Sequence, residues 1–205
     1  MYYTVKGDGN AELSVKHSKF LAFCARVSDE EQAETFVKSV KKRFTDATRA
    51  PYAYLLGERA DKSRASDDGE PSGTSGVPIL ESIKNAGLTD TAVVVVRYFG
   101  GIKLGTGGLA RAYGDAATEA LKLVGKSAFE KCVLYRLSCD YGLISSVQTQ
   151  VYSFGMILNS EYGDGATIIA AVCKEKYGAV VAALADATSG KVIAEQIEER
   201  YCEVK

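Results

Sequence analysis

One histidine, His17, stands among 205 residues, and that scarcity removes much chemistry at once. A Ser/His/Asp arrangement has only this imidazole to draw on, no G-x-S-x-G elbow occurs, and Cys/His metal sites have no supporting spacing. With no acid nearby, His17 reads as a solvated turn residue. Cysteine pairs in C-x-x-C spacing are missing too. The five cysteines (Cys24, Cys132, Cys139, Cys173 and Cys202) are scattered and odd in number. Most lie in apolar, strand-like surroundings and read as reduced core thiols of a reducing compartment. Neither sign of charge is in excess: the net charge is −1 and the sequence pI about 6.0. No global field draws in nucleic acid or anionic membrane, so any anion site has to be a local patch. Long apolar runs are absent, as is the basic, apolar, small-residue progression of a leader peptide. The expectation is a cytoplasmic protein.

What is present is ordinary soluble composition, 46% hydrophobic and 25% charged, in a length that fits one large domain or two small ones. The chain is organised around Val93–Tyr113, VVVVRYFGGIKLGTGGLARAY. The β-branched run reads as a strand buried on both faces. Apolar residues at helical spacing from Leu109 to Leu123, with Gly125 as a stop, predict a helix. The unit is strand, glycine loop, helix. Such a loop offers backbone N–H groups beside a helix start, a site for phosphate or carboxylate, with Lys103 inside it and Arg97 and Arg111 flanking. The other reading is that the glycines only permit a tight connection in a packed αβ sandwich.

Before this unit, Glu12–Val27 reads as two strands interrupted around Lys16–Lys19. Ser28 with Glu31 predicts a capping box, and Ala33, Phe36, Val37 and Val40 the apolar face of the helix that follows. Thr45–Pro51 is a connection carrying Arg49, and Pro51–Gly57 a strand with two tyrosines on one face. Glu58–Glu70 has almost no apolar content and predicts a mobile surface loop. Its acids Asp67, Asp68 and Glu70 do not match a calcium-loop spacing. Ser72, Thr74 and Ser75 before Pro78 mark a helix start running to Asn85, a second place to hold an anion.

Beyond Gly125-Lys126-Ser127 the pattern changes. Strand Phe129–Asp140, helix Leu143–Phe154, strands Met156–Glu161 and Ala166–Cys173, helix Tyr177–Ala187 and strand Val192–Cys202 spell β-α-β-β-α-β. The expected domains are residues 1–126 and 127–205, an α+β protein with a ferredoxin-like second half. The loop Gly100–Gly107 is not a Walker A motif, because Thr106-Gly107 stands where Lys-Ser/Thr is required. Gly105-x-Gly107-x-x-Ala110 fits the dinucleotide fingerprint by accident: the strand ends too early and no second βαβ half follows. Nothing demands an enzyme, a metal or a cofactor.

Two long motifs, Asp67–Pro78 (DDGEPSGTSGVP) and Val94–Tyr113 (VVVRYFGGIKLGTGGLARAY), resemble the IMPACT/YigZ family. Lys16–Phe20 and Ala47–Tyr54 match its flanking blocks more loosely, and Ser127–Lys205 resembles the smaller C-terminal domain of the bacterial branch. The chain departs at Arg49, where members usually carry histidine. A permanently charged arginine serves anion binding at least as well. The resemblance implies a first domain similar to one in a small-subunit ribosomal protein and in elongation factor G, and a ferredoxin-like second. Because both relatives touch RNA, it also implies an RNA- or ribosome-associated protein, with translation regulation as the role of the eukaryotic branch. The expected contacts are Arg97, Lys103 and Arg111 on phosphates, Tyr98 and Phe99 for stacking, the glycines Gly105 and Gly107, and Lys19, Arg49, Arg64, Ser72 and Thr74 from neighbouring blocks. The alternative is a binder of, or enzyme on, a phosphate-containing small molecule, with Asp67, Asp68 and Glu70 holding Mg²⁺ or acting as acids. A protein partner is the third possibility.

Overall fold

A computed structural model describes residues 1–204, which form two units, Met1–Ala128 and Phe129–Val204. The first contains β1 (Tyr2–Val5), β2 (Gly9–Val15), β3 (Ser18–Arg26), α1 (Glu30–Arg43), β4 (Tyr52–Leu56), β5 (Lys62–Ser66), α2 (Gly76–Asn85), β6 (Thr91–Tyr98) and α3 (Gly105–Val124). Five of its strands make one sheet in the order β2-β3-β6-β4-β5, every neighbour antiparallel. The valine run supplies the central strand, β6. Successive side chains point to opposite faces. Val93 and Val95 therefore pack with Ile79, Ile83, Leu109 and Tyr113 of α2 and α3. Val94 and Val96 pack with Val37 and Val40 of α1. Helices on both faces explain a strand of the kind usual in parallel sheets inside an antiparallel one.

Three local expectations change. The cap of α1 is Asp29 rather than Ser28: its Oδ1 accepts the Gln32 N–H at 2.8 Å, and Gln32 Oε1 accepts the Ser28 N–H at 3.1 Å. The polar stretch before Glu70 is not all loop. It holds β5, an edge strand exposed along four of its five residues, which hydrophobic alternation cannot reveal. Helix α3 begins at Gly105, four residues before Leu109, so part of the glycine loop is helix.

The second unit runs β7 (Lys126–Cys139), α4 (Ile144–Phe154), β8 (Gly155–Tyr162), β9 (Ala166–Cys173), α5 (Tyr177–Thr188) and β10 (Ala194–Val204), with β7 starting at the end of the first. Strand order is β10-β7-β9-β8, the ferredoxin-like arrangement. Residues Leu137, Ile168, Ala170 and Val172 of the sheet meet Val147, Val151, Val180 and Leu184 of α4 and α5. Cys132 and Cys202 lie with Leu134 and Ala171 in a separate cluster, and Cys173 pairs across the ladder with Cys132. All five cysteines are free. Burial, and then the neighbouring thiols, push Cys132 up to about 12, so it is an inert core thiol.

Candidate functional site

The loop between β6 and α3 is fixed at its entry. Phe99 N–H donates to Thr48 Oγ1 at 3.1 Å and Gly100 N–H to Ser18 Oγ at 3.1 Å. A Cβ on Gly100 would fall 2.0 Å from the His17 carbonyl carbon, so no side chain fits there. That contact seats the loop on the Lys16–His17 turn, whose two residues have φ of 45° and 65° and close the β2–β3 hairpin. His17 is thus the turn residue expected. Beyond Gly100 the chain opens outward, with Gly101 and Gly105 at φ of 85° and 73°.

Helix α3 then starts without help. Among the described residues no side chain caps it, Gly105, Thr106 and Gly107 are exposed, and nothing lies within 4 Å of a Cβ on Gly105 or Gly107. The first N–H groups of a helix have no internal acceptor and carry its positive dipole end. Lys103, just before, and Arg111, six residues into the helix and nearly two turns from its start, are exposed, and neither makes an ion pair among the described residues. This is an open cationic helix start.

The start of α2 is its opposite. Asp67 accepts the N–H groups of Gly73 (2.8 Å), Ser75 (3.0 Å) and Gly76 (2.8 Å), and the Ser75 hydroxyl at 2.8 Å. Burial pushes its carboxyl up, but these hydrogen bonds outweigh that and hold it below its ordinary value. The second predicted anion site is therefore filled by the chain's own carboxylate. Thr74 is buried and donates its hydroxyl to Pro71 O at 2.7 Å, while Ser72 is exposed at the turn. Both belong to the loop that Asp67 organises.

The three acids of this loop do not converge on a cation. Asp68 accepts from Lys41 and from the Ala50 N–H, and Glu70 binds Arg97 at 2.6 Å. Among the described residues no group of His, Cys, Asp and Glu is placed to hold a metal ion.

Arg97 is the largest departure from the expected contacts. It is 7% exposed, its Nη1 is held by Glu70 Oε1, and Tyr113 donates its hydroxyl to the same oxygen at 2.7 Å. Burial first, and the Glu70 carboxylate next, push the Tyr113 hydroxyl far up, so it stays a donor. Arg97 shares the parity of Val93 and Val95 and so points into the α2/α3 layer. That signal was available in the sequence. Its charge is matched by Glu70, which takes it out of the set of phosphate contacts. Tyr98 has the opposite parity: it packs with the α1 cluster and donates its hydroxyl to Asp46 at 2.9 Å. Phe99 returns to the face of Arg97, 45% exposed, with the guanidinium 5.4 Å from its ring centroid.

The outlying cations are dispersed. Arg49 is exposed beside the loop: its backbone bridges Arg97, and its Nε would be 3.0 Å from a Cβ on Gly69. Lys19 is exposed, opposite Tyr98 on the ladder, and pairs with Glu12 at 2.9 Å. Arg64 sits on the far edge strand, paired with Glu34 of α1 at 3.0 Å. Lys103, Gly105 and Gly107 thus lie at the start of α3 with Arg111 further along the same helix, Arg49 lies beside β6, and Arg64 is set apart on β5.

Comparison with known proteins gives this arrangement a family. Residues 16–121 match the Impact N-terminal domain, and residues 137–191 match a domain of unknown function, DUF1949. The chain belongs to the IMPACT family. An IMPACT family member, YvyE of Bacillus subtilis (strain 168), is 36% identical, over 98% of this chain and 94% of its own length. YigZ of Escherichia coli (strain K12), also named an IMPACT family member, is 35% identical over 90% and 92% of the two chains. A solved structure described as that of an hypothetical protein superposes with a TM-score of 0.62 at 31% identity, covering 97% and 98%. The Impact N-terminal match runs from the β2–β3 turn to within α3, so the whole loop and both helix starts fall inside the IMPACT domain. No helix among the described residues is long and apolar enough to cross a membrane.

Proposed function

We propose that this IMPACT-family protein is a non-enzymatic RNA- or ribosome-associated protein with a role in translation, holding phosphate at the start of α3. The observation that carries the reading is the exposed N-terminus of that helix, uncapped by any side chain among the described residues, with Lys103 just before it and Arg111 further along the helix. Backbone N–H groups and two exposed cations suit a phosphate contact that reads no base. The open space around Gly105 and Gly107 suits a polymer lying across the surface.

Co-sedimentation with ribosomes and binding to labelled RNA at two salt concentrations test it, with wild type beside Lys103→Glu/Arg111→Glu. Both positions are exposed, so the variant keeps the fold. Wild-type affinity is expected to fall with salt at a log–log slope of about −1.4 for two contacted phosphates on a single strand. The double variant should lose most of the binding. Salt-insensitive binding, or binding untouched by the charge reversals, would remove the reading.

A further inference from the structure

Phe99 is an unusual exposed aromatic. Its backbone is pinned on both sides, by the bond from its own N–H to Thr48 and by Gly100 against the His17 carbonyl, so the ring is presented from a fixed point. Behind it lies the buried Arg97 guanidinium. Arg97 Cζ is 5.4 Å from the Phe99 ring centroid and 5.9 Å from that of Phe20, which meets Tyr113 edge to face at 5.1 Å. The Arg97 side chain is bonded to Glu70 through Nη1, while its buried Nε has no acceptor among the described residues. This series of planar groups runs from the core (Tyr113, Phe20) through Arg97 to Phe99 at the surface, beside the loop that leads to Lys103 and the start of α3.

A π-system with a cation against one face is electron-poor on the other. An electron-rich planar group completes such a series, and nucleobases stack on aromatics whatever their sequence. A base inside a duplex has no free face to give, whereas a single strand can splay one out while its phosphate rests nearby. Resting on the RNA reading above, we infer that the ligand of this site is single-stranded RNA, with one unpaired base stacked on Phe99 and an adjacent phosphate at the start of α3. Tyr98, on the opposite face of β6, takes no part.

The chain has no tryptophan, which gives the test a clean signal. Phe99→Trp of the 205-residue chain carries its only indole, and a base stacked on it quenches its emission. Titration uses an unstructured oligouridylate 12-mer and, in parallel, a 12-base-pair RNA duplex, each also followed by anisotropy of a labelled strand. The expected result is saturable quenching by the single strand. Phe99→Leu should weaken it about 5- to 150-fold, Phe99→Tyr should stay near wild type, and the duplex should bind more weakly. Thermal melting of Phe99→Leu checks that the fold is kept. Single-stranded binding with no quenching and no loss in Phe99→Leu overturns the stacking inference and leaves the phosphate reading standing. Duplex binding as tight as single-strand binding does the same. Absence of binding to either RNA overturns the stacking inference, and, joined to failure to co-sediment with ribosomes, overturns the phosphate reading as well.

Discussion

Helices α2 and α3 begin in segments that look alike, Gly73-Thr74-Ser75-Gly76 and Gly105-Thr106-Gly107-Gly108. In α2 a carboxylate from nine residues upstream of Gly76 lies on the free N–H groups, which completes the electrostatics of the helix inside the fold. In α3 the same groups lie on exposed residues, and Lys103 stands just before them. Composition marks where a helix can start. Whether that start is a structural joint or a binding surface depends on a single acid brought back by the preceding loop. The difference separates a part of the molecule that holds itself together from a part left open.

Four predictions bear on that contrast. The largest effect belongs to Glu70, which ties the loop of the closed start to β6 and α3 through Arg97 and Tyr113. Glu70→Ala leaves a buried guanidinium unpaired and should cost about 3–5 kcal/mol in urea denaturation; a loss under 1 kcal/mol would show that the pair is not buried in solution. Asp67→Ala uncovers several donors at the closed start and should cost about 2–3 kcal/mol by the same measurement. A third prediction concerns pH. The folded Asp67 carboxyl is held low, so its stabilisation is complete above the unfolded value, about pH 4, and fades as pH falls through the folded one. Asp67→Asn should therefore flatten the acid limb of the stability profile below about pH 4. Smallest is Thr106→Glu, which gives α3 an acid in its first turn. It should raise stability by about 0.3–1 kcal/mol while weakening RNA binding, making the open start resemble the closed one. A gain in RNA affinity would contradict the proposed phosphate position.

Much of the fold was legible because it is written in period and punctuation: the valine run, the helix stopped by Gly125, and the split β-α-β-β-α-β order of the second half. Strand β5 was not, since an exposed edge strand of Lys62, Ser63 and Arg64 carries no hydrophobic pattern. The site was legible in part. Lys103, Gly105, Gly107 and Arg111 follow from local sequence alone. The fates of Arg97, Asp67 and Glu70 depend on partners 27, 9 and 43 positions away (Glu70, Gly76 and Tyr113), and single-sequence reading weighs a cation by its neighbours in the chain. Alternation along β6 would still have assigned Arg97 inward and Tyr98 to the other layer. On that inner face Arg97 meets Glu70, and the pair belongs to the core.

The position of β6 also has a consequence for how the first unit comes into being. The strand sits between two ready-made hairpins, β2–β3 and β4–β5, and is the last strand of that sheet to be synthesised. Lys19 waits for Tyr98, and Tyr52 for Val94. Until then each hairpin presents an unpaired inner edge, and closing such long sequence separations is slow. The half-made chain is thus most prone to pair with the wrong partner, including another copy of itself, before β6 arrives.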